Sequence, residues 1–179
     1  MTATIDYGKH LCMFFFSTHC GFLYYIKYKI MAQKLYDEAL QKIQQAIHTK
    51  DETDNYKLEK IARQLFRGKF KGVFAADDNI KLSRSKPYAI VNAGRRSGGG
   101  FHWFPVCLTK TNTLLCSDSF GRPIKSFSED YRDLTHDGRL KVIYTTKREQ
   151  KNCENNCGER SLAWLYVCDR LGPHAASTI

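Results

Sequence analysis

Apolar positions recur along this chain with two periods, and the points where the period changes divide it into elements. Between Met31 and Thr49, Leu35, Ala39, Ile43 and Ile47 return every three to four residues, with Leu40 beside them and charged or amide residues elsewhere. That spacing predicts an amphipathic helix over 31–49. The polar cluster 49–55 reads as a linker, and Leu58, Ile61, Leu65 and Phe66 predict a second helix over 56–66. Gly68 and Gly72 interrupt the pattern, and 73–87 reads as a polar loop. Runs of strand length follow at 88–92, 101–108, 113–120 and 139–146. In the second run His102, Phe104, Val106 and Leu108 share a face by alternation, and Pro105 predicts an edge position or a bulge. Thr111 and Asn112 supply the turn of a hairpin joining that run to the next. Residues 126–134 read as a short helix. The helical period then returns after Cys157, with Leu162, Leu165 and Cys168 on one face and Trp164, Val167 and Leu171 on its neighbour.

The first thirty residues fit neither period. Leu11 to Ile30 is rich in Phe, Tyr and Leu and has about the length of a membrane span, but His19, Gly21 and Lys27 interrupt it. It lacks the small-residue cleavage site of a signal peptide. Residues 1–30 are therefore expected to be either an upstream extension ahead of a start at Met31 or a poorly packed extension; with the helix at 31–49 they make up an N-terminal extension over 1–54, and 55–179 is the working domain.

The chain has 179 residues, enough for one domain with a sizeable core. Its 28 Lys and Arg against 18 Asp and Glu give a formal charge of +10, which suits a polyanionic partner such as nucleic acid. Seven cysteines is an odd number. With no signal peptide evident, they read as free thiols in a reducing compartment. Cys153 and Cys157 have no Cys/His pair of finger-like spacing nearby, so no structural zinc is expected.

The candidate chemistry centres on Cys157 and Gly158. At the start of a buried helix, the helix dipole and the unpaired N–H groups favour a thiolate, and Asn155 and Asn156 offer N-cap side chains. Gln150, seven residues upstream, can aim its amide N–H at a developing oxyanion beside the backbone N–H of Cys157. A thiol nucleophile needs a base, and the base an orienter. His102, embedded in an apolar strand after the glycine-rich loop 94–100, fits the base. Asp118, in the next strand, fits the orienter, since a hairpin turning at Thr111 and Asn112 can bring the two onto one face. Taken singly, each has an ordinary use: a core histidine, a turn-capping aspartate, a solvated glutamine, a cysteine before a helix. The case rests on their conjunction and order.

That set resembles the adenovirus-type cysteine protease family, adenain. The resemblance is carried by His102 and Trp103 after Gly99 and Gly100, by Asp118 to Gly121, and by Gln150 seven residues before Cys157 and Gly158. Phe70 to Phe74, Ala89 to Asn92, and Gly94 with Arg95 extend it, so that it covers about residues 57–171. It implies an α+β, papain-like fold, permuted in chain order, with a small mixed sheet packed on a central helix carrying the catalytic cysteine. His102 would be base and then acid, Asp118 its orienter, Cys157 the nucleophile and Gln150 part of the oxyanion hole. It further implies a viral endopeptidase that matures capsid and core precursors next to glycine, in the virion and the host nucleus. The chemistry itself would need no cofactor, with viral DNA and a short peptide as stimulators, and the enzyme would act as a monomer without a stable membrane partner. Lys69, Lys71, Arg95 and Arg96 are the candidate DNA contacts. Two departures stand out. The family's cysteine eleven residues before the glutamine, which links the activating peptide, is Arg139 here, and the family's chain continues well past the catalytic helix.

Two other readings compete. Proteases of ubiquitin-like modifiers share the same residue types but place the glutamine one residue closer to an Asp-Cys-Gly sequence, whereas Asn156 precedes Cys157 here. A basic nucleic-acid-binding virion protein with a decayed site is the non-enzymatic alternative, and four chemically competent residues argue against it.

Overall fold

The computed structural model describes residues 18–47, 54–98, 102–123 and 140–179, with the side chains of 18–22 set aside. Residues 49–53 of the expected linker 49–55, the glycines at 99 and 100, the helix at 126–134 and Arg139 lie outside the described residues; the end of that linker belongs to α2, with Asp54 as its N-cap. The elements in chain order are α1 (Thr18–Ile47), α2 (Asn55–Phe66), a 3-10 turn (Arg67–Lys69), β1 (Phe70–Phe74), β2 (Tyr88–Asn92), β3 (Trp103–Leu108), β4 (Thr113–Ser117), β5 (Lys141–Thr145), α3 (Cys157–Leu171) and α4 (Pro173–Ala176). The strands form one sheet in the order β1-β2-β3-β4-β5. Its outer pairs are parallel and its two inner pairs antiparallel. The fold is α+β with a mixed sheet, as expected.

The core follows from which faces are apolar. One face of the sheet, through Tyr88, Ile90, Cys107 and Leu115, packs in a single cluster with α3. From α3 come Leu162, Ala163, Trp164, Leu165, Val167 and Cys168, all buried. Both faces predicted for α3 are thus inside, because the sheet, α1, α2 and α4 surround it. The other face, through Val91, Phe104, Val106 and Leu114, is covered by Ile80 and Leu82 from the segment between β1 and β2. That segment was expected to be a polar loop over 73–87. Its start is strand, however, since β1 runs to Phe74, and the rest carries the cover of the second face.

Four further expectations are corrected. The first helix starts at Thr18, not Met31. Its buried stripe is Ala32, Tyr36, Ala39, Ile43 and Ile47, in the same cluster as α3, and Tyr28 donates its hydroxyl to Leu171 O at 2.8 Å. The expected boundary at 54/55 therefore does not separate an extension from a core. Pro105 is not at an edge, because β3 is the central strand. It is tolerated because the β3–β4 pairing begins only at Val106 and Cys116, just past the missing N–H. β1, hidden by Gly72, exists because it pairs with β2 across a register shift between Phe70 and Gly72. The fourth strand of the order ends at Ser117 instead of 120, for a reason that belongs to the site. Among the described residues no helix is long and apolar enough to cross a membrane.

Gly158 packs directly against Leu58 of α2. A Cβ there would lie 2.8 Å from Leu58 Cδ2, and Leu58 is fully buried with nowhere to swing. Gly158→Ala is expected to cost about 1–3 kcal/mol through overpacking. In the Gly158→Ala/Leu58→Ala double variant the cost should fall short of the sum of the singles, because each change makes room for the other. Urea denaturation of the four proteins checks this, and strict additivity would show that the two residues are not in contact.

Candidate active site

Asp118 sits where β4 stops, and its carboxylate is what stops it. Oδ2 accepts from the backbone N–H of Arg122 at 3.0 Å and from Arg122 Nε at 2.9 Å. Oδ1 accepts from the N–H of Phe120 at 3.3 Å. An aspartate that gathers the N–H groups two and four residues on favours a turn over a continuing strand. Gly121 completes the turn at φ 70, where a Cβ would press within 2.7 Å of Thr146 O, and its N–H donates to Asp118 O at 2.8 Å.

The same carboxylate holds His102. Nε2 lies 2.6 Å from Asp118 Oδ1, and both side chains are buried. His102 is one residue ahead of β3. Its carbonyl is fixed by Ala93 N–H at 2.8 Å, and the Phe120 ring packs 5.2 Å from its ring. Cys157 is near enough to the imidazole to help raise its pKa. With Nε2 taken by the carboxylate, Nδ1 is the nitrogen left for sulfur. The predicted hairpin geometry is thus met: β3 and β4 pair antiparallel, turning at Asn112 with φ 55, and their far ends bring base and orienter together.

The charges reinforce one another. Burial penalises charge on His102, but the hydrogen bond it donates to Asp118 and the influence of Cys157 outweigh it and raise its pKa. Burial likewise works against the Asp118 carboxylate, yet His102 and Arg122 bring its pKa down to about 2. Asp118 is therefore an acceptor at any ordinary pH. It keeps the proton of a neutral imidazole on Nε2, so that Nδ1 is the unprotonated nitrogen, the one able to take a thiol proton.

Cys157 is the first residue of α3 and is 6% exposed. In that position its backbone N–H has no partner within the helix. The asparagines do not cap as expected: Asn156 makes no capping hydrogen bond, because its Oδ1 accepts from Arg160 Nε at 2.8 Å. Gln150 is 1% exposed. Its Oε1 accepts from the Ser119 hydroxyl at 2.6 Å, and its Nε2 donates to Glu154 O at 2.5 Å. Its amide plane is fixed between the Asp118 turn and the loop leading into Cys157, with a second N–H on Nε2 still to give.

The four residues singled out from sequence thus come to one end of the sheet. Arg122, Ser119 and Arg160 were missed. Arg122 has a signal in its spacing of four from an aspartate, whereas Arg160 has none, being one basic residue on a helix. The proposed DNA contacts do not gather there. Lys69 pairs with Asp169 at 2.7 Å, Arg96 pairs with Asp78 at 2.6 Å, and Lys71 is exposed on β1 and Arg95 on the loop after β2. Among the described residues no three His, Cys, Asp or Glu side chains converge as a metal-binding group. The chain matches no protein-family model and no curated protein.

The shifted pair predicts a pH profile. Asp118 holds its proton more weakly folded than unfolded. Its contribution to stability is present above the ordinary carboxylate pKa, about 3.9, and is lost as the pH falls toward 2. His102 holds its proton more tightly when folded, so its contribution is complete below about 6.5 and is lost as the pH rises through its raised value. Melting temperatures across pH 2 to 8 should fall on both sides of a plateau between about 4 and 6.5, and Asp118→Asn should flatten both limbs. Superimposable profiles for the two proteins would contradict the coupling.

Proposed function

We propose that this chain is a cysteine endopeptidase of the adenain type, with a papain-like fold, that cleaves viral precursor proteins next to glycine. The observation that carries the proposal is the buried relay from Asp118 through His102 to Cys157, with 2.6 Å between carboxylate and ring. In this reading His102 Nδ1 takes the Cys157 proton, and the thiolate attacks the scissile carbonyl. The oxyanion forms against the Cys157 N–H and the free N–H of Gln150 Nε2. The imidazolium, stabilised by Asp118, then protonates the leaving amine. Water, activated by the same imidazole, hydrolyses the acyl-enzyme. The net charge of +10 supports DNA as a stimulator; the ion pairs of Lys69 and Arg96 make those two weaker candidates for its contacts.

Cys157→Ala is expected to abolish cleavage of glycine-containing peptide libraries without loss of fold, and His102→Ala to do nearly the same. Gln150→Ala should cost about two to three orders of magnitude in kcat. In iodoacetamide labelling at pH 6 to 7, mapped by mass spectrometry, Cys157 should react fastest of the seven cysteines, and His102→Ala should remove that advantage. A Cys157 no faster than the others would leave the non-enzymatic reading standing. Preference for a folded modifier ending in Gly-Gly over a capsid precursor peptide would point to the modifier proteases.

A further inference from the structure

One buried polar group lies outside the relay. Tyr36, on α1, is 2% exposed in the middle of the main core cluster. Its side chain lines one small cavity together with Glu149, the residue before Gln150, and Arg160, from the first turn of α3. The Glu149 and Arg160 side chains are each only 12% exposed and lie 3.8 Å apart. Arg160 is also bound to the loop on two other sides, by Nη2 to Glu154 Oε2 at 3.0 Å and by Nε to Asn156 Oδ1 at 2.8 Å. One guanidinium therefore touches the beginning, middle and end of the segment 149–156, which joins Gln150 to Cys157. A second link from α1 runs alongside, with Lys147 Nζ donating to Gln33 Oε1 at 3.2 Å. On the far side the segment is bound to the Asp118 turn, where the N–H groups of Glu149 and Gln150 both donate to Ser119 O, at 2.9 and 2.8 Å.

We propose that Tyr36, Glu149 and Arg160 are positioning residues for the Gln150 amide, through which α1 forms part of the oxyanion apparatus. The proposal rests on the protease reading above. The chemistry of the group suits the role. Burial, followed by the Glu149 charge, raises the Tyr36 pKa well above its ordinary value, so the hydroxyl stays protonated, able to donate to a carboxylate such as Glu149 and to accept from a guanidinium such as Arg160. A buried ion pair closed by a third hydrogen-bonding group has one satisfied arrangement, and breaking it strands a charge. Such a group is stiff, and stiffness is what an amide aimed at a developing charge requires. Glu149 faces Tyr36, Arg160, Lys147 and Asp37, and burial raises its pKa. The clip therefore weakens when that carboxylate takes up a proton, which happens at a higher pH than for an exposed glutamate.

The test separates positioning from folding by using two probes on the full chain. Iodoacetamide alkylates Cys157 by displacement and forms no oxyanion. p-Nitrophenyl acetate acylates it through a tetrahedral oxyanion and releases a coloured product. Tyr36→Phe and Glu149→Gln should slow acylation about tenfold or more while leaving the alkylation rate of Cys157 within about twofold of wild type. Gln150→Ala should show the same split. The double variant Tyr36→Phe/Gln150→Ala should acylate no more slowly than Gln150→Ala alone, since the tyrosine acts through the glutamine. Should Tyr36→Phe fail to fold, as judged by circular dichroism, the same comparison is made with Glu149→Gln. Wild-type acylation by the folded variants, or losses that multiply in the double variant, would overturn the proposal and leave the protease reading intact. Wild-type protein with no fast-alkylating Cys157 and no acylation would overturn both.

Discussion

A carboxylate with no exposed surface needs a donor for every lone pair it brings inside, and Asp118 is 0% exposed. An unpaired charge there would cost several kcal/mol. Four donors satisfy it: the His102 ring, the Phe120 and Arg122 N–H groups, and the Arg122 side chain. Meeting this one requirement ends β4, makes the tight turn through Gly121, fixes the tautomer of His102 and places Ser119 where it can receive the 149–150 backbone and hold Gln150. The arrangement of the site is largely the arrangement that Asp118 demands.

The second constraint is α3, which serves packing and chemistry at once. Its interior is apolar on nearly every side, so it is immobilised by the sheet, α1, α2 and α4. Its first residue is the thiol. A reactive group at the end of a rigid, buried rod stays in register with partners on the sheet, provided the rod is seated. Gly158 and Leu58 set the seating at the reactive end, and the Trp164 Nε1 bond to Ala176 O at 3.0 Å sets it toward the other.

Much of this was legible in the amino-acid order. The α3 pattern, the hairpin about Asn112, and the roles open to His102, Asp118 and Cys157 follow from period, turn chemistry and residue type, and the structure places them together. What escaped is what depends on partners far along the chain. β1 is a strand only because β2 is there to pair with it. Pro105 looks like an edge residue unless one knows where the neighbouring ladder begins. Asn156 looks like a cap until Arg160 takes its oxygen. The first helix seemed dispensable because its stripe was read without the surface it covers. Local rules cannot see a contact made more than a hundred residues away, and Tyr36 is defined by two of them.

That separation also bears on how the protein comes to be folded. The stripe on α1 precedes its principal partner, α3, by more than a hundred residues in the chain. Loop closure over so many residues is entropically expensive, and a core dominated by such contacts forms slowly. Until the two helices meet, Ala32, Tyr36, Ala39, Ile43 and Ile47 lie open to solvent or to a chaperone, while Gln150 and Cys157 are without their frame. The frame of the candidate site is therefore complete only once α1 has docked on α3.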